Sequence, residues 1–178
     1  MYKRQSKDRR VLLLLIGWGF GAFMEGMAGF GTAIAIPASM LVALGFNPVK
    51  AILACLIANS VPTTFGSIGI PASTLANITG LDPVQLATYI SFQLLPLNII
   101  CPLLMVVVSE GSFKALKGVF LLSVFSGIAL ALPELIVSAF AGPELSAMGA
   151  SVIIMAVIII YSKAVSYTHL TLPTKRIV

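Results

Sequence analysis

The stretch GWGFGAFMEGMAGFGTAIAIP, from Gly17 to Pro37, combines apolar residues with six glycines and one acidic residue, Glu25. Such a mixture of glycines, apolar residues and one acid is not typical of the packed core of a soluble protein. Irregular backbone is tolerated at membrane depth where protein or a water-filled cavity surrounds it, and glycine lets that backbone turn sharply and approach a ligand. The stretch therefore predicts an interrupted membrane segment that forms one wall of a site for a small solute.

The composition of the whole chain indicates an all-α, multi-pass membrane protein. The chain has 178 residues, of which 58% are hydrophobic and 10% are charged, and its mean hydropathy is +1.05. Soluble domains carry about 25% charged residues, so this chain has too few polar groups to cover a soluble surface. The net charge of +5 is confined to short segments. It indicates membrane orientation rather than nucleic-acid binding.

The two ends of the chain differ from the rest. Residues 1–10 carry five Lys or Arg and one Asp, which predicts a cytoplasmic segment. Residues 165–178, VSYTHLTLPTKRIV, resemble a translated sequencing adapter, so we expect a non-native tail there and a transmembrane transporter fragment over 11–164. The tail holds the only histidine, His169. Without it no Ser–His, paired-Asp or H-E-x-x-H set is present, and we expect no enzyme activity, metal or cofactor.

The apolar segments on either side of the glycine-rich stretch are short. Residues 11–24 make about 21 Å of helix, whereas the hydrocarbon core is about 30 Å thick. Residues 25–31 are expected to break the helix, and residues 32–45 form a second short piece before a Gly-Phe-Asn-Pro stop. We therefore predict a re-entrant helical hairpin. The charge pattern fits two thin crossings equally well.

A second interrupted segment follows the hairpin. The apolar run that begins at Val49 stops at residues 59–67, NSVPTTFGS, and resumes after them. Two prolines and two glycines between residues 62 and 71 favour an unwound middle over a regular span.

Three later segments, 84–108, 119–132 and 147–161, are long enough to cross a membrane. With the hairpin counted as no net crossing, the basic residues fall on one side and the acidic turns on the other, in agreement with the positive-inside rule. We interpret Glu134 and Glu144 as solvated charges of a loop over 133–146. The polar residues inside the 84–108 span favour interhelical hydrogen bonds; they are Ser91, Gln93 and Asn98.

The first candidate binding site is the tip of the hairpin. A helix that begins at such a break directs free N–H groups and its positive dipole end at an anion, and the Thr32 hydroxyl adds a donor. A lone G-x-x-G-x-G is weak evidence, and close helix packing through small residues is the alternative. The candidate substrate-binding residues here are Gly26, Gly29, Phe30, Gly31 and Thr32.

Glu25 is the candidate proton carrier. It is interpreted as the only acidic residue with membrane-depth apolar sequence on both sides, and ionisable groups at that depth are usually functional. The alternative is a hairpin tip exposed to water at an interface.

The second candidate site is the break at residues 59–67. An amide, hydroxyls and unwound backbone supply donors for a carboxylate and a hydroxyl group. Alternatively, the hydroxyls bond back to their own helix around Pro62, and the sequence does not decide between the two. The candidate residues are Asn59, Ser60, Thr63 and Gly66.

Several motifs resemble the bacterial lactate permease family. The longest is FGAFMEGMAGFG, residues 20–31. The others are Asn59 with Pro62, FGSIGIP at 65–71, the Gln-Leu step at 93–94 and GPEL at 142–145. The similarity runs in order from about Asp8 to Lys163.

The resemblance implies a proton-coupled symporter of L-lactate, glycolate and related 2-hydroxy monocarboxylates in the bacterial inner membrane. It implies an inverted-repeat ion-transporter fold with re-entrant hairpins, of which this chain is an interior fragment. The partners implied are a carboxylate substrate, H⁺ and membrane lipid, with oligomers possible. A non-transporting membrane scaffold, or a permease for a different organic anion, is the alternative.

Overall fold

The computed structural model of the chain describes residues 8–29 and 31–170, with side chains as far as Tyr161. Every regular element within these ranges is helical, as the composition predicts. The helices are α1 (Arg9–Met27), α2 (Thr32–Ala43), α3 (Pro48–Asn59), α4 (Gly66–Thr79), α5 (Pro83–Glu110), α6 (Phe120–Ala141) and α7 (Pro143–Leu170).

The helix lengths confirm a polytopic membrane protein. Within the described part of the chain, four segments are long and apolar enough to cross a membrane: α1, α5, α6 and the Pro143–Tyr161 part of α7. The pair formed by α3 and the following Pro62–Thr79 segment passes the same test together, with a 59° bend between its halves. This pair is the interrupted segment that the prolines and glycines predict.

The first limb of the hairpin is longer than predicted. α1 continues for 19 residues to Met27, and its middle, Leu14–Phe20, is π-helical. The prediction that the break begins at Glu25 is wrong, because that residue and Gly26 are helical and the helix ends at Met27. In lipid, the helix supplies the hydrogen-bond partners of its own backbone, so one glycine does not end it.

The return limb of the hairpin is short. α2 has 12 residues, about 18 Å of helix, and packs back against α1. The two limbs meet again at their open end, where the Arg9 guanidinium donates to the Gly45 carbonyl oxygen at 2.6 Å. The chain therefore forms a helix–break–helix hairpin whose ends lie on the same side.

The basic residues gather at this end of the bundle. The Arg10 guanidinium donates to the carbonyl oxygens of Ala115 and Lys117 at 2.6 and 3.0 Å. Its hydrogen bond to Asp8 holds the pKa of that carboxyl below its usual range. Lys50 lies beside Gly111 in the same region. At the opposite end, Gly142 lies beside Val84, so the two Lys- and Arg-free turns are neighbours, as the charge pattern predicts.

The acidic loop predicted over 133–146 is mostly helix. α6 continues through Pro133 to Ala141, and α7 begins at Pro143, so only Gly142 separates them. Proline is tolerated inside a membrane helix because neighbouring groups satisfy the freed carbonyl. This places Glu134 inside a membrane-length helix, whereas Glu144 stays exposed at the start of α7.

Candidate functional site

The two interrupted segments meet each other. The Ser67 hydroxyl, in the left-handed first turn of α4, donates to the carbonyl oxygen of Ala28 at the hairpin tip, at 3.1 Å. Gly29 lies directly against Ser67, and Gly66 lies directly against the Glu25 carboxyl. We call this contact the junction, and define it by Glu25, Ala28, Gly29, Gly66 and Ser67.

Glycine is required on both sides of the junction. Gly29 has a φ of +56°, a region that side chains other than glycine rarely adopt. A Cβ atom at Gly66 would overlap the Glu25 carboxyl oxygen, and a Cβ atom at Gly29 would overlap the Ser67 hydroxyl. The two breaks approach this closely because neither glycine has a side chain.

Glu25 is enclosed at the junction. Its side chain is 3% exposed, which disagrees with the alternative of a water-exposed tip. Its Oε2 atom is buried and finds no hydrogen-bond partner among the residues that the structure describes. Within those residues the one ion pair joins Asp8 and Arg10, so no cation neutralises Glu25.

The start of α7 completes the surroundings of the junction. Gly69, with a φ of +72°, packs against the Pro143 carbonyl, and Gly26 packs against Ala147 and Met148. The N-terminal end of a long helix, with its positive dipole end, therefore lies close to the junction. The junction is nearer the Gly142 end of the bundle than the basic end.

The predicted residues of the hairpin tip have different surroundings. Gly26 is helical and packs closely on α7, which matches the packing alternative. Gly31 caps α2 with a φ of +88° and is exposed, with open space on its Cβ side among the described residues. The Thr32 hydroxyl donates to the Gly29 carbonyl at 2.5 Å. Phe30 lies outside the described residues.

The hydroxyls at the start of the break bond to carbonyl oxygens four residues earlier in the chain. The Ser60 hydroxyl donates to the Leu56 carbonyl at 3.1 Å, and the Thr63 hydroxyl donates to the Asn59 carbonyl. The Asn59 amide in turn donates to the Thr63 hydroxyl at 3.0 Å. The sequence left two interpretations open, donors for a ligand or hydroxyls that bond locally around Pro62, and this conformation has the local bonds. Asn59 Oδ1 is buried and unpaired within the part of the chain described.

A cavity of about 420 Å³ opens between α1, α6 and α7. Its wall is apolar, and those predicted site residues that the structure describes do not line it. The lining residues are Phe23, Val137, Leu145, Met148, Gly149 and Val152.

The interpretation of Glu134 as a solvated loop charge is wrong. The side chain is 1% exposed, and Asn98 of α5 donates its Nδ2 to Glu134 Oε2 at 3.1 Å. Glu25 is therefore not the only acid flanked by membrane-length apolar sequence. The sequence does carry a pattern that could have placed Glu134 in a helix: Gly127, Glu134 and Ser138 lie seven and four residues apart, which is helical spacing through Pro133. The interhelical hydrogen bond predicted for Asn98 is confirmed.

Comparison with known proteins agrees with these features. A family model described as L-lactate permease matches residues 3–172. The chain belongs to the L-lactate permease family. It is 47% identical over 156 residues to an L-lactate permease of Streptococcus iniae, and the aligned region covers 88% of this chain and 33% of that protein. It is 40% identical over 158 residues to an L-lactate permease of Bacillus subtilis strain 168, covering 89% of this chain and 28% of that protein.

A relative that is named for a different substrate also matches the chain. The glycolate permease GlcA of Escherichia coli K12 is 38% identical over 140 residues, covering 79% of this chain and 25% of that protein. This L-lactate permease homologue thus spans a third or less of the length of these three relatives. No solved structure matches it significantly. These three relatives are named as permeases.

Proposed function

We propose that this chain forms part of a proton-coupled symporter of L-lactate, glycolate or a related 2-hydroxy monocarboxylate in the bacterial cell membrane. The observation that carries the proposal is the junction, where a buried acid with a free oxygen lies between two interrupted membrane segments. Such segments are where transporters of this general type bind substrates and ions. The relatives named as lactate and glycolate permeases support the substrate class.

The substrate carboxylate would bind near the hairpin tip. Backbone N–H groups and the Thr32 hydroxyl at the start of α2 would hold it, and α7 begins nearby, so two positive helix ends favour an anion there. Asn59, Ser60 and Thr63 carry the polar groups for the 2-hydroxyl or the second carboxylate oxygen. Their present bonds are local, and a substrate would take over part of them.

Glu25 would carry the coupled proton. An ionised carboxyl that is buried without a partner costs several kcal/mol, so Glu25 is expected to be protonated when the site is closed. A bound carboxylate disfavours a second negative charge beside it. Proton and substrate therefore favour each other's binding, which is the thermodynamic requirement for symport.

The other wall of the site is expected from a second repeat. In inverted-repeat transporters the substrate lies at the interface between repeats, and this chain spans only 33% of its Streptococcus iniae relative. This accounts for the absence of the predicted polar residues from the described apolar cavity.

The test replaces Glu25 by Gln in the full-length protein, reconstituted in proteoliposomes. We expect labelled lactate to equilibrate across the membrane but not to accumulate in response to an inward proton gradient. Glu110→Gln, at the exposed end of α5, is the matched control and should accumulate lactate normally. Unchanged acid-driven accumulation in Glu25→Gln would remove Glu25 from the proposed role.

The second candidate is a non-transporting membrane scaffold. The close packing of Gly19 and Gly26 against α7 favours it, because small residues at helix contacts also serve assembly alone. Counterflow of labelled lactate in proteoliposomes of the unsubstituted protein separates the two functions. A scaffold shows none.

A further inference from the structure

A second buried acid lies outside the junction, between α5 and α6. Glu134 is 1% exposed and Asn98 is 0% exposed. Asn98 Nδ2 donates to Glu134 Oε2 at 3.1 Å. Two other oxygens, Glu134 Oε1 and Asn98 Oδ1, are buried and find no donor among the residues described. Buried polar atoms are nearly always hydrogen-bonded, so two orphan acceptors in one contact require an explanation.

The contact is too close to be a loose surface pair. A Cβ atom at Gly127 of α6 would lie 2.5 Å from the Asn98 carbonyl oxygen and 2.7 Å from Ile99 Cα. The two helix backbones are therefore in direct contact about two turns from Glu134. Both helices are long and apolar enough to cross a membrane, and an intramembrane ionisable residue is a functional-site hypothesis by default.

The described parts of the two helices that flank this pair offer no positive charge. α6 packs against α5 and α7. α1 also reaches it, through the Trp18 indole, which donates to the Ser126 carbonyl at 3.4 Å. Among the residues whose side chains the structure describes, neither α5 nor the Pro143–Tyr161 part of α7 carries Lys or Arg, and the one ion pair joins Asp8 and Arg10. α1 carries Arg9 and Arg10 at the basic end of the bundle and Glu25 at the junction. The other titratable groups of these neighbours are Asp82 at the cap of α5, Tyr89, Cys101 and Glu110 of α5, and Glu144 and Tyr161 of α7, while Lys163, Tyr167 and His169 of α7 lie beyond the described side chains.

One proton removes both the uncompensated charge and the two unpaired acceptors. With Glu134 ionised, the pair holds an uncompensated negative charge and two acceptors without a donor, and such a buried charge costs several kcal/mol. A proton on Oε1 removes the charge and turns Oε1 into a donor, for which Asn98 Oδ1 is the free acceptor. The acid and the amide then each donate once and accept once.

We propose that Glu134 and Asn98 form a second proton-binding site of this protein, separate from Glu25. The protonated carboxyl donates to the Asn98 amide oxygen and accepts from the Asn98 amide nitrogen. We further assign this proton to the transport cycle, a clause that rests on the proposed function. Its release leaves a charge between α5 and α6, so these helices must separate or admit water when the proton leaves.

Infrared difference spectroscopy of the full-length protein in lipid tests the site itself. We expect a C=O stretching band of a protonated carboxylic acid that disappears as the pH is raised. The band should be absent in Glu134→Gln and retained in Glu25→Gln. If Glu134→Gln does not fold, Asn98→Ala carries the test, because loss of the amide partner must shift the band. No band assignable to Glu134 at any pH at which the protein is folded would overturn the proposal.

A transport assay tests whether the proton on Glu134 belongs to the transport cycle. Gln at position 134 keeps the pairing with Asn98 but cannot release a proton, so acid-driven lactate accumulation should fall at least tenfold in Glu134→Gln. Glu110→Gln should leave it unchanged. Unchanged accumulation in Glu134→Gln would overturn the assignment of this proton to the transport cycle while leaving the spectroscopic result intact. If the unsubstituted protein moves no lactate, the proposed function fails, and the infrared band still decides whether the proton site exists.

Discussion

Ile68 has a backbone conformation that β-branched residues rarely adopt. Its φ and ψ are 59° and 41°, and Ser67 before it has 49° and 52°. Left-handed backbone costs about 1–2 kcal/mol for a residue with a Cβ atom. It persists only where the surroundings hold it, and here the neighbours on both sides are held. Ser67 is bonded to Ala28, and Gly69 is packed against Pro143.

This strain predicts an unusual response to glycine. Ile68→Gly should raise the free energy of unfolding by up to about 1 kcal/mol, because glycine adopts positive φ without steric cost. Ile70→Gly is the matched control, since Ile70 is 54% exposed and Ile68 is 52% exposed. The control should lower stability by about 1 kcal/mol, the usual cost of glycine inside a helix. Unfolding in detergent measures both, and an equal loss in the two variants would mean that Ile68 is not strained.

Single residues also limited what the sequence could predict. Glu25 stands out because its neighbours are apolar on both sides, so the sequence alone marks it as a candidate. Glu134 follows directly after Pro133, and proline favours a helix end in water-soluble proteins. Lipid changes that preference. The error at Glu134 therefore comes from applying an aqueous rule inside a membrane helix.

At the scale of elements, the close approach of α4 to α7 depends on Gly69. A Cβ atom there would lie 2.5 Å from the Pro143 carbonyl oxygen and 2.8 Å from the Glu144 nitrogen. These are backbone atoms of a helix start, which cannot move aside as a flexible side chain does. Gly80 has nearly the same φ, +71° against +72°, but open space on its Cβ side within the described chain.

A comparison of Gly69 with Gly80 separates the cost of left-handed backbone from the cost of the close contact with α7. Gly80→Ala should cost only the left-handed backbone penalty, about 1 kcal/mol. Gly69→Ala should cost that amount plus the overlap with α7, typically 1–3 kcal/mol more for an overpacked site. Thermal unfolding of the two variants in detergent measures the difference. Equal losses would show that α4 and α7 do not pack as closely as described.

Element breaks could be predicted from the sequence, but their lengths and contacts could not. Glycine and proline act locally, so the interruptions near residues 28–31 and 62–69 are visible in the chain itself. The end of α1 was misplaced because glycines that pack against α7 look the same in sequence as glycines that break a helix. The contact of Glu25 with Gly66 joins residues far apart in the chain, and it depends on how complete helices pack.

At the scale of the whole molecule, the charge pattern and the packing describe the same two ends. Arg9 and Arg10 bond to carbonyl oxygens of Gly45, Ala115 and Lys117, so three segments distant in sequence share one basic end. The opposite end holds the 80–82 turn and Gly142. The positive-inside rule then predicts that the basic end is cytoplasmic and that the junction lies nearer the external side.

Cysteine labelling in oriented membrane vesicles tests this topology. Leu81→Cys and Lys117→Cys introduce thiols at exposed positions of the two ends, whereas the native Cys55 and Cys101 are buried. A membrane-impermeant maleimide should label Leu81→Cys in right-side-out vesicles and Lys117→Cys only in inside-out vesicles, with the unsubstituted protein giving the background. The reverse pattern would invert the orientation. Labelling of both positions from one side would contradict the odd number of crossings that separates residue 81 from residue 117, and with it the assignment of α5 as a membrane span.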